Sequence, residues 1–127
     1  MHDKHLYEYA VIRLVPQVER EEFFNVGVVL YCKRPRFIGM RFQLDAKKLE
    51  AFCPELDVEQ VQKNLEAFKA ICAGAQNGGP IAQLEPAERF RWLTATRSSV
   101  IQTSKTHPGF SADLEATLEC LFKELVV

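Results

Sequence analysis

The sequence predicts an α+β domain with an antiparallel sheet of about four strands, in the order βββ-αα-α-β-α, packed with helices. Two observations carry that expectation. Apolar runs of strand period fill the first 44 residues, whereas stripes of helical period dominate the rest of the chain. No G-x-G-x-x-G or phosphate-binding loop follows any strand, so a doubly wound parallel sheet is not indicated. The 127 residues suit one domain spanning 1–127.

The first strand runs from Tyr7 to Val15, with Tyr7, Tyr9, Val11, Arg13 and Val15 on one side and Glu8, Ala10, Ile12 and Leu14 on the other. Both sides are mainly apolar, as in a central strand covered twice. Pro16 ends it, because proline lacks the donor a ladder needs. The polar stretch Gln17–Glu22 is then a loop. Phe23–Cys32 forms a second strand, Lys33–Arg36 turns around Pro35, and Phe37–Leu44 returns as a third. Ile38, Met40, Phe42 and Leu44 alternate with Arg41 and Gln43, which predicts one buried and one wet face and a hairpin with strand two.

Asp45 caps a short helix to about Phe52, stopped before Pro54. Asp57 and Gln60 have capping-box spacing ahead of Val58, Val61, Leu65, Phe68 and Cys72, the stripe of an amphipathic helix that ends near Gly74. Residues Gly74–Pro80 form a turn. Pro86–Ala95 admits two readings: Pro86 at a first helical position favours helix, while R-F-R-W alternates as a strand would. We take helix. Ser98–Thr103 is the fourth strand. Ser111 caps a last helix that buries Leu114, Leu118, Leu121, Phe122 and Leu125.

Charge is unevenly spread behind a net value of −1. Residues 49–88 carry two Lys/Arg against seven Asp/Glu, whereas 89–109 carry four Lys/Arg and no carboxylate. The total charge gives no steering toward nucleic acid. Cys32, Cys53, Cys72 and Cys120 form no C-x-x-C pair and read as small apolar fillers. The opening residues lack a signal-peptide core, and no apolar run reaches membrane-spanning length, so a reduced cytoplasm is the expected compartment, with no membrane contact. No metal site or cofactor is implied: His2 and His5 sit at a terminus that frays, and Glu21, Glu22, Asp45 and Glu50 are too dispersed for two-metal chemistry.

Two stretches resemble a bacterial family known as domain of unknown function 3037. Tyr9-Ala-Val-Ile-Arg-Leu-Val-Pro16, continuing through Arg20 to Leu30, is similar to its opening. Phe90-Arg-Trp-Leu-Thr-Ala, Arg97-Ser98, Gln102 and His107 with Gly109 are similar to its close. Thr96 stands where a proline is expected, and Thr106-His107-Pro108-Gly109 replaces the usual P-V-H-T-G. The resemblance implies no reaction. It does imply a HipA-like kinase as a protein partner, because members are often encoded beside such proteins.

The candidate binding residues are Arg13, Glu22, Asn25, Arg97, Ser98, Gln102 and His107. Arg13 is a charge in an apolar strand and needs a partner, and Glu22 across the first hairpin is the nearest carboxylate by topology. Gly27 shares its side of the second strand with Asn25 and implies either close approach, a helix for choice, or a bulge. Arg97, Ser98 and Ser99 enter the fourth strand and His107 leaves it, roughly 25 Å or more apart if extended. A Ser-His nucleophile would need an orienting acid, and the segment contains none. The expectation is a non-catalytic accessory or regulatory binding protein. One alternative is a phosphate- or nucleic-acid-binding protein using Lys33, Arg34, Arg36, Arg89, Arg91 and Arg97, with Trp92 as a base-stacking residue. Another is an enzyme of unrecognised type.

Overall fold

The computed structural model describes residues 4–17, 20, 22–95 and 99–127. Its elements are β1 (His5–Leu14), β2 (Phe24–Cys32), β3 (Phe37–Phe42), α1 (Ala46–Phe52), α2 (Val58–Ala73), α3 (Pro86–Leu93), β4 (Ile101–Thr103), β5 (His107–Ser111) and α4 (Leu114–Leu125). The sheet is antiparallel and α+β, as expected, but it has five strands in place of four. Strand order is β3-β2-β1-β4, with β5 also on β1.

The additional strand comes from a stretch expected to be loop. His107, Pro108 and Gly109 read as breakers, yet β5 pairs His107 with Tyr9 and Ser111 with His5. The pairing of β4, Gln102 with Arg13 and Thr103 with Ile12, runs one residue out of step with it. Together β4 and β5 are one edge strand interrupted by an irregularity at Ser104–Thr106. Ser104 repairs that interruption. Its N–H donates to the Val11 carbonyl at 2.8 Å, and its Oγ accepts the Val11 N–H at 2.9 Å. A side-chain oxygen therefore stands in for the backbone carbonyl that the shift moves out of reach.

Helices cover both faces. Ala10, Ile12, Leu14, Val29 and Met40 meet Leu49 of α1, Val61, Leu65 and Phe68 of α2, and Phe90 and Leu93 of α3. On the other face Val28, Leu30 and Cys32 pack against Leu114 and Leu118 of α4. The second face of β3, expected to be wet, instead lies under α4: Gly39 approaches Leu118, and Arg41 sits over the Phe122 ring at 5.0 Å while pairing with Glu119.

Helix starts follow short acidic side chains. Asp45, Asp57 and Asp113 each accept a backbone N–H of the first turn, at 3.1 Å. Asp113 rather than Ser111 caps α4. Ser111 ends β5 and holds the cap from outside, its Oγ accepting the Asp113 N–H at 3.0 Å. A bulge at Val26 offsets β2, and a Cβ on Gly27 would lie 2.6 Å from the Arg41 carbonyl oxygen. Strand β3, not a helix, is what presses on that glycine. Cys32 and Cys72 are buried, whereas Cys120, expected as a filler, is exposed. No helix among the described residues is long and apolar enough to cross a membrane.

Candidate functional site

Strand β1 is the axis of the site. Arg13 pairs with Asn25 of β2 on one side and with Gln102 of β4 on the other. Residues directly opposite one another in antiparallel strands project to the same face, so register alone aligns Asn25, Arg13 and Gln102 in one row across three strands. Asn25 Nδ2 donates to the Leu125 carbonyl at 3.1 Å, tying the row to the end of α4. Gln102 Nε2 donates to the Ser99 carbonyl at 2.9 Å.

Arg13 does not pair with Glu22, contrary to expectation. Glu22 holds Arg20 at 2.9 Å, a contact between side chains two residues apart that forms without long-range folding. Arg13 instead lies over the Phe23 ring at 4.3 Å, and its Nε is buried with no hydrogen-bond partner among the described residues. A guanidinium is more weakly hydrated than an ammonium and stacks well on rings, which makes an apolar strand tolerable for it.

Along the same face toward the other end of β1 run Val11, Tyr9 and Tyr7. Tyr9 stacks on His107 of β5 with centroids 5.4 Å apart and planes at 36°, and Tyr7 follows 6.2 Å from Tyr9. The Tyr7 ring lies across Gly109, where a Cβ would come within 2.4 Å of its Cζ and Oη. Burial, with smaller contributions from Tyr9 and Cys120, raises the Tyr7 phenol above its ordinary value. Helix α4 lies over β2 and β3, and Tyr7 and Tyr9 pack at the margin of the cluster it forms with β2; His107 is exposed, and Tyr7, Tyr9, Arg13 and Gln102 keep part of their surface accessible.

The expected residues thus divide. Arg13, Asn25 and Gln102 form the row, His107 lies on the same face through the tyrosines, and Glu22 is elsewhere. Arg97 and Ser98 lie outside the described residues, as do His2 and Glu21. Tyr7, Tyr9 and Phe23 were not singled out as site residues, although the alternation of β1 already put both tyrosines on the side of Arg13.

The basic residues are split as well. Lys33, Arg34 and Arg36 occupy the β2–β3 turn, where Arg36 pairs with Glu85, and Arg91 is exposed on α3. Arg89 is only 9% exposed and donates to the Cys72 carbonyl at 3.2 Å, so it cannot offer its charge to a phosphate. Trp92 meets Phe68 edge-on at 5.9 Å, as a packing residue does. Among the described residues no serine hydroxyl hydrogen-bonds a histidine: Ser104 serves Val11 and Lys105, and Ser99 serves Ile101. No group of three or more His, Cys, Asp or Glu among them is placed to hold a metal.

Comparison with known proteins places one more fact beside this geometry. A family model described as a protein of unknown function, DUF3037, matches residues 9–126. No curated protein and no solved structure matches the chain.

Proposed function

The chain belongs to the DUF3037 family, and from that premise we propose that it is a non-catalytic accessory or regulatory protein of the bacterial cytoplasm that acts by binding a protein partner. The partner we propose is a HipA-like kinase. The contact surface lies along β1: Arg13 with Asn25 and Gln102, and the Tyr7–Tyr9–His107 stack.

One observation carries this reading. Arg13 has no carboxylate partner among the described residues, lies over the Phe23 ring, and stands between Asn25 and Gln102 on the face of β1 that also carries Tyr9 against His107. Tyrosine and arginine dominate binding energy at protein interfaces, since each offers a large contact area and a polar tip. They sit here on paired strands rather than on a loop, so little conformational entropy remains to be lost on binding.

The test is co-expression with a HipA-like kinase encoded beside the gene, followed by affinity measurement at low and high salt. A packed protein interface retains most of its affinity as salt rises. Arg13→Met and His107→Ala each weaken it by ~10-fold or more, while Arg91→Ala on α3 leaves it unchanged. Failure to form a complex would overturn the partner. Nucleic acid that co-purifies and dissociates steeply with salt would favour the basic residues of the β2–β3 turn and α3 instead.

A further inference from the structure

Among the described residues β5 pairs with β1 alone, so its other side is an edge of the sheet. Leu6 and Phe110 stand directly opposite each other in that pair and share the face that Ala10 and Ile12 bury under helices. The helices stop short of this corner, since α2 packs on β3 and β4 and α3 on β2 and β3. Leu6 is left 57% and Phe110 68% exposed, a contiguous apolar pair at the edge itself.

The hydrogen bonds of β1 fix which backbone groups β5 turns outward. Val11 and Val15 bond toward β4, the first accepting from the Ser104 N–H and the second donating to the Val100 carbonyl. Alternation along β1 then directs Tyr9, Tyr7 and His5 at β5, and leaves Glu8–Pro108 and Leu6–Phe110 as the pairs with no bonds between them. Pro108, lacking an N–H, fits only such a position. The Pro108 carbonyl and both backbone groups of Phe110 therefore point away from the sheet. Ala112, exposed just beyond them, has an N–H with no hydrogen-bond partner among the described residues.

This edge is complementary to itself. An acceptor without a donor at Pro108 and an unused donor at Ala112 stand two residues to either side of Phe110, which offers both. We infer that β5 pairs antiparallel with β5 of a second copy about a twofold axis at Phe110. Each Phe110 N–H donates to the carbonyl of the partner's Phe110, and each Ala112 N–H to the carbonyl of the partner's Pro108. The contact is isologous, with every bond made twice. Leu6 and Phe110 of both copies then form one unbroken apolar row across the joined sheet. Proline on an edge commonly deters strand addition. Here it forfeits only a bond to the Ala112 carbonyl, which water can reach. A net charge of −1 adds little repulsion between copies. The seam is independent of the kinase surface, because Leu6 and Phe110 lie on the opposite face of the sheet from Tyr7, Tyr9 and Arg13.

The test is sedimentation equilibrium of the full chain across a concentration series. One short strand falls below the ~1,200 Å² of a stable dimer, so monomer and dimer exchange with a dissociation constant of order 100 μM. Phe110→Ser and Leu6→Ser each replace an exposed side chain without opening the core, and each weakens the dimer at least ~10-fold. Pro108→Ala restores the missing donor and tightens it by ~5-fold or more, which a merely sticky patch would not do. In a sample mixing differently labelled copies, nuclear Overhauser contacts join Phe110 of one copy to Phe110 of the other. The inference is overturned by a monomer at ~1 mM, by a dimer that Phe110→Ser leaves intact, or by a dimer that Pro108→Ala does not tighten. It is equally overturned if the chain stays monomeric and Phe110→Ser instead releases a different protein.

Discussion

Arg89 of α3 closes the end of α2: its Nη1 donates to the Cys72 carbonyl at 3.2 Å, two residues before the helix terminates at Gly74. The last carbonyls of a helix lack intrahelical partners and carry the negative end of its dipole, so a buried cation there is favourable twice over. Gly74 makes the contact possible. Its φ of +68° is the left-handed conformation of a helix end, and a Cβ there would lie 2.2 Å from Arg89 Nη1. Arg89→Ala should cost ~1–3 kcal/mol by urea denaturation. Gly74→Ala should cost ~1–2 kcal/mol for its backbone conformation and more for the displaced guanidinium. The double variant keeps the backbone cost and the lost arginine contact but not the clash between them, so the two single losses must sum to more than the combined loss. Simple additivity would show that the arginine does not occupy that space.

The thiol of Cys72 lies under the same contact. Burial pushes its pKa up from 9.0 to about 12, and the Arg89 cation opposes the shift only partly. Between those values the folded chain holds a proton that the unfolded chain releases. The contribution to stability is therefore complete below pH 9 and declines as pH rises toward 12, at no more than ~1.4 kcal/mol per pH unit. Cys72→Ala should give a shallower alkaline limb in stability measured against pH. The comparison is between slopes, because the substitution also removes packing at every pH. An unchanged slope would show that the thiol ionises equally in both states.

Local chemistry was legible in the sequence and register was not. Asp45 and Asp57 cap the helices expected of them because capping is decided within four residues. The α4 cap was misplaced by two residues because Ser111 and Asp113 are both competent, and pairing of Ser111 with His5 in β5 decides between them. Strand β5 went unseen because His107-Pro108-Gly109 carries breakers that an edge strand tolerates. The alternation of β1 put Tyr7, Tyr9 and Arg13 on one face, but nothing local aligns Asn25 and Gln102 with Arg13. Two registers set by distant strands, one of them offset by a bulge, do that. The Arg13–Glu22 expectation failed on competition, since Arg20 reaches Glu22 at far smaller entropic cost.

Ser104 tests how firmly the interrupted edge strand is held. Its Oγ is the acceptor for the Val11 N–H in the middle of β1, and both residues are buried. Ser104→Ala leaves that donor unsatisfied and should cost ~1–3 kcal/mol. Ser104→Thr keeps the oxygen and should cost less. Amide exchange at Val11 would accelerate in the alanine variant while exchange in α2 at Leu65 follows only the change in global stability. If exchange at Val11 rises no more than that at Leu65, the serine is not what closes the ladder.

Gly109 separates the shape of the proposed interface from the stability of the fold. The Tyr7 ring occupies the space above it, so Gly109→Ala forces the ring away from β5 and disturbs its neighbour Tyr9, which stacks on His107. Backbone conformation imposes no further penalty, because Gly109 lies within strand β5 and its φ is not left-handed. The stability cost should be ~1–2 kcal/mol, of the order found for overpacking. Combining Gly109→Ala with Tyr7→Ala removes the clash, so this pair should lose less stability than the two single losses predict. Partner binding should behave differently. Both single variants lose the tyrosine surface and should weaken the kinase complex by ~10-fold, and the double variant should not recover it. Recovery of binding along with stability would mean that the tyrosine stack serves the fold and that the partner is held elsewhere.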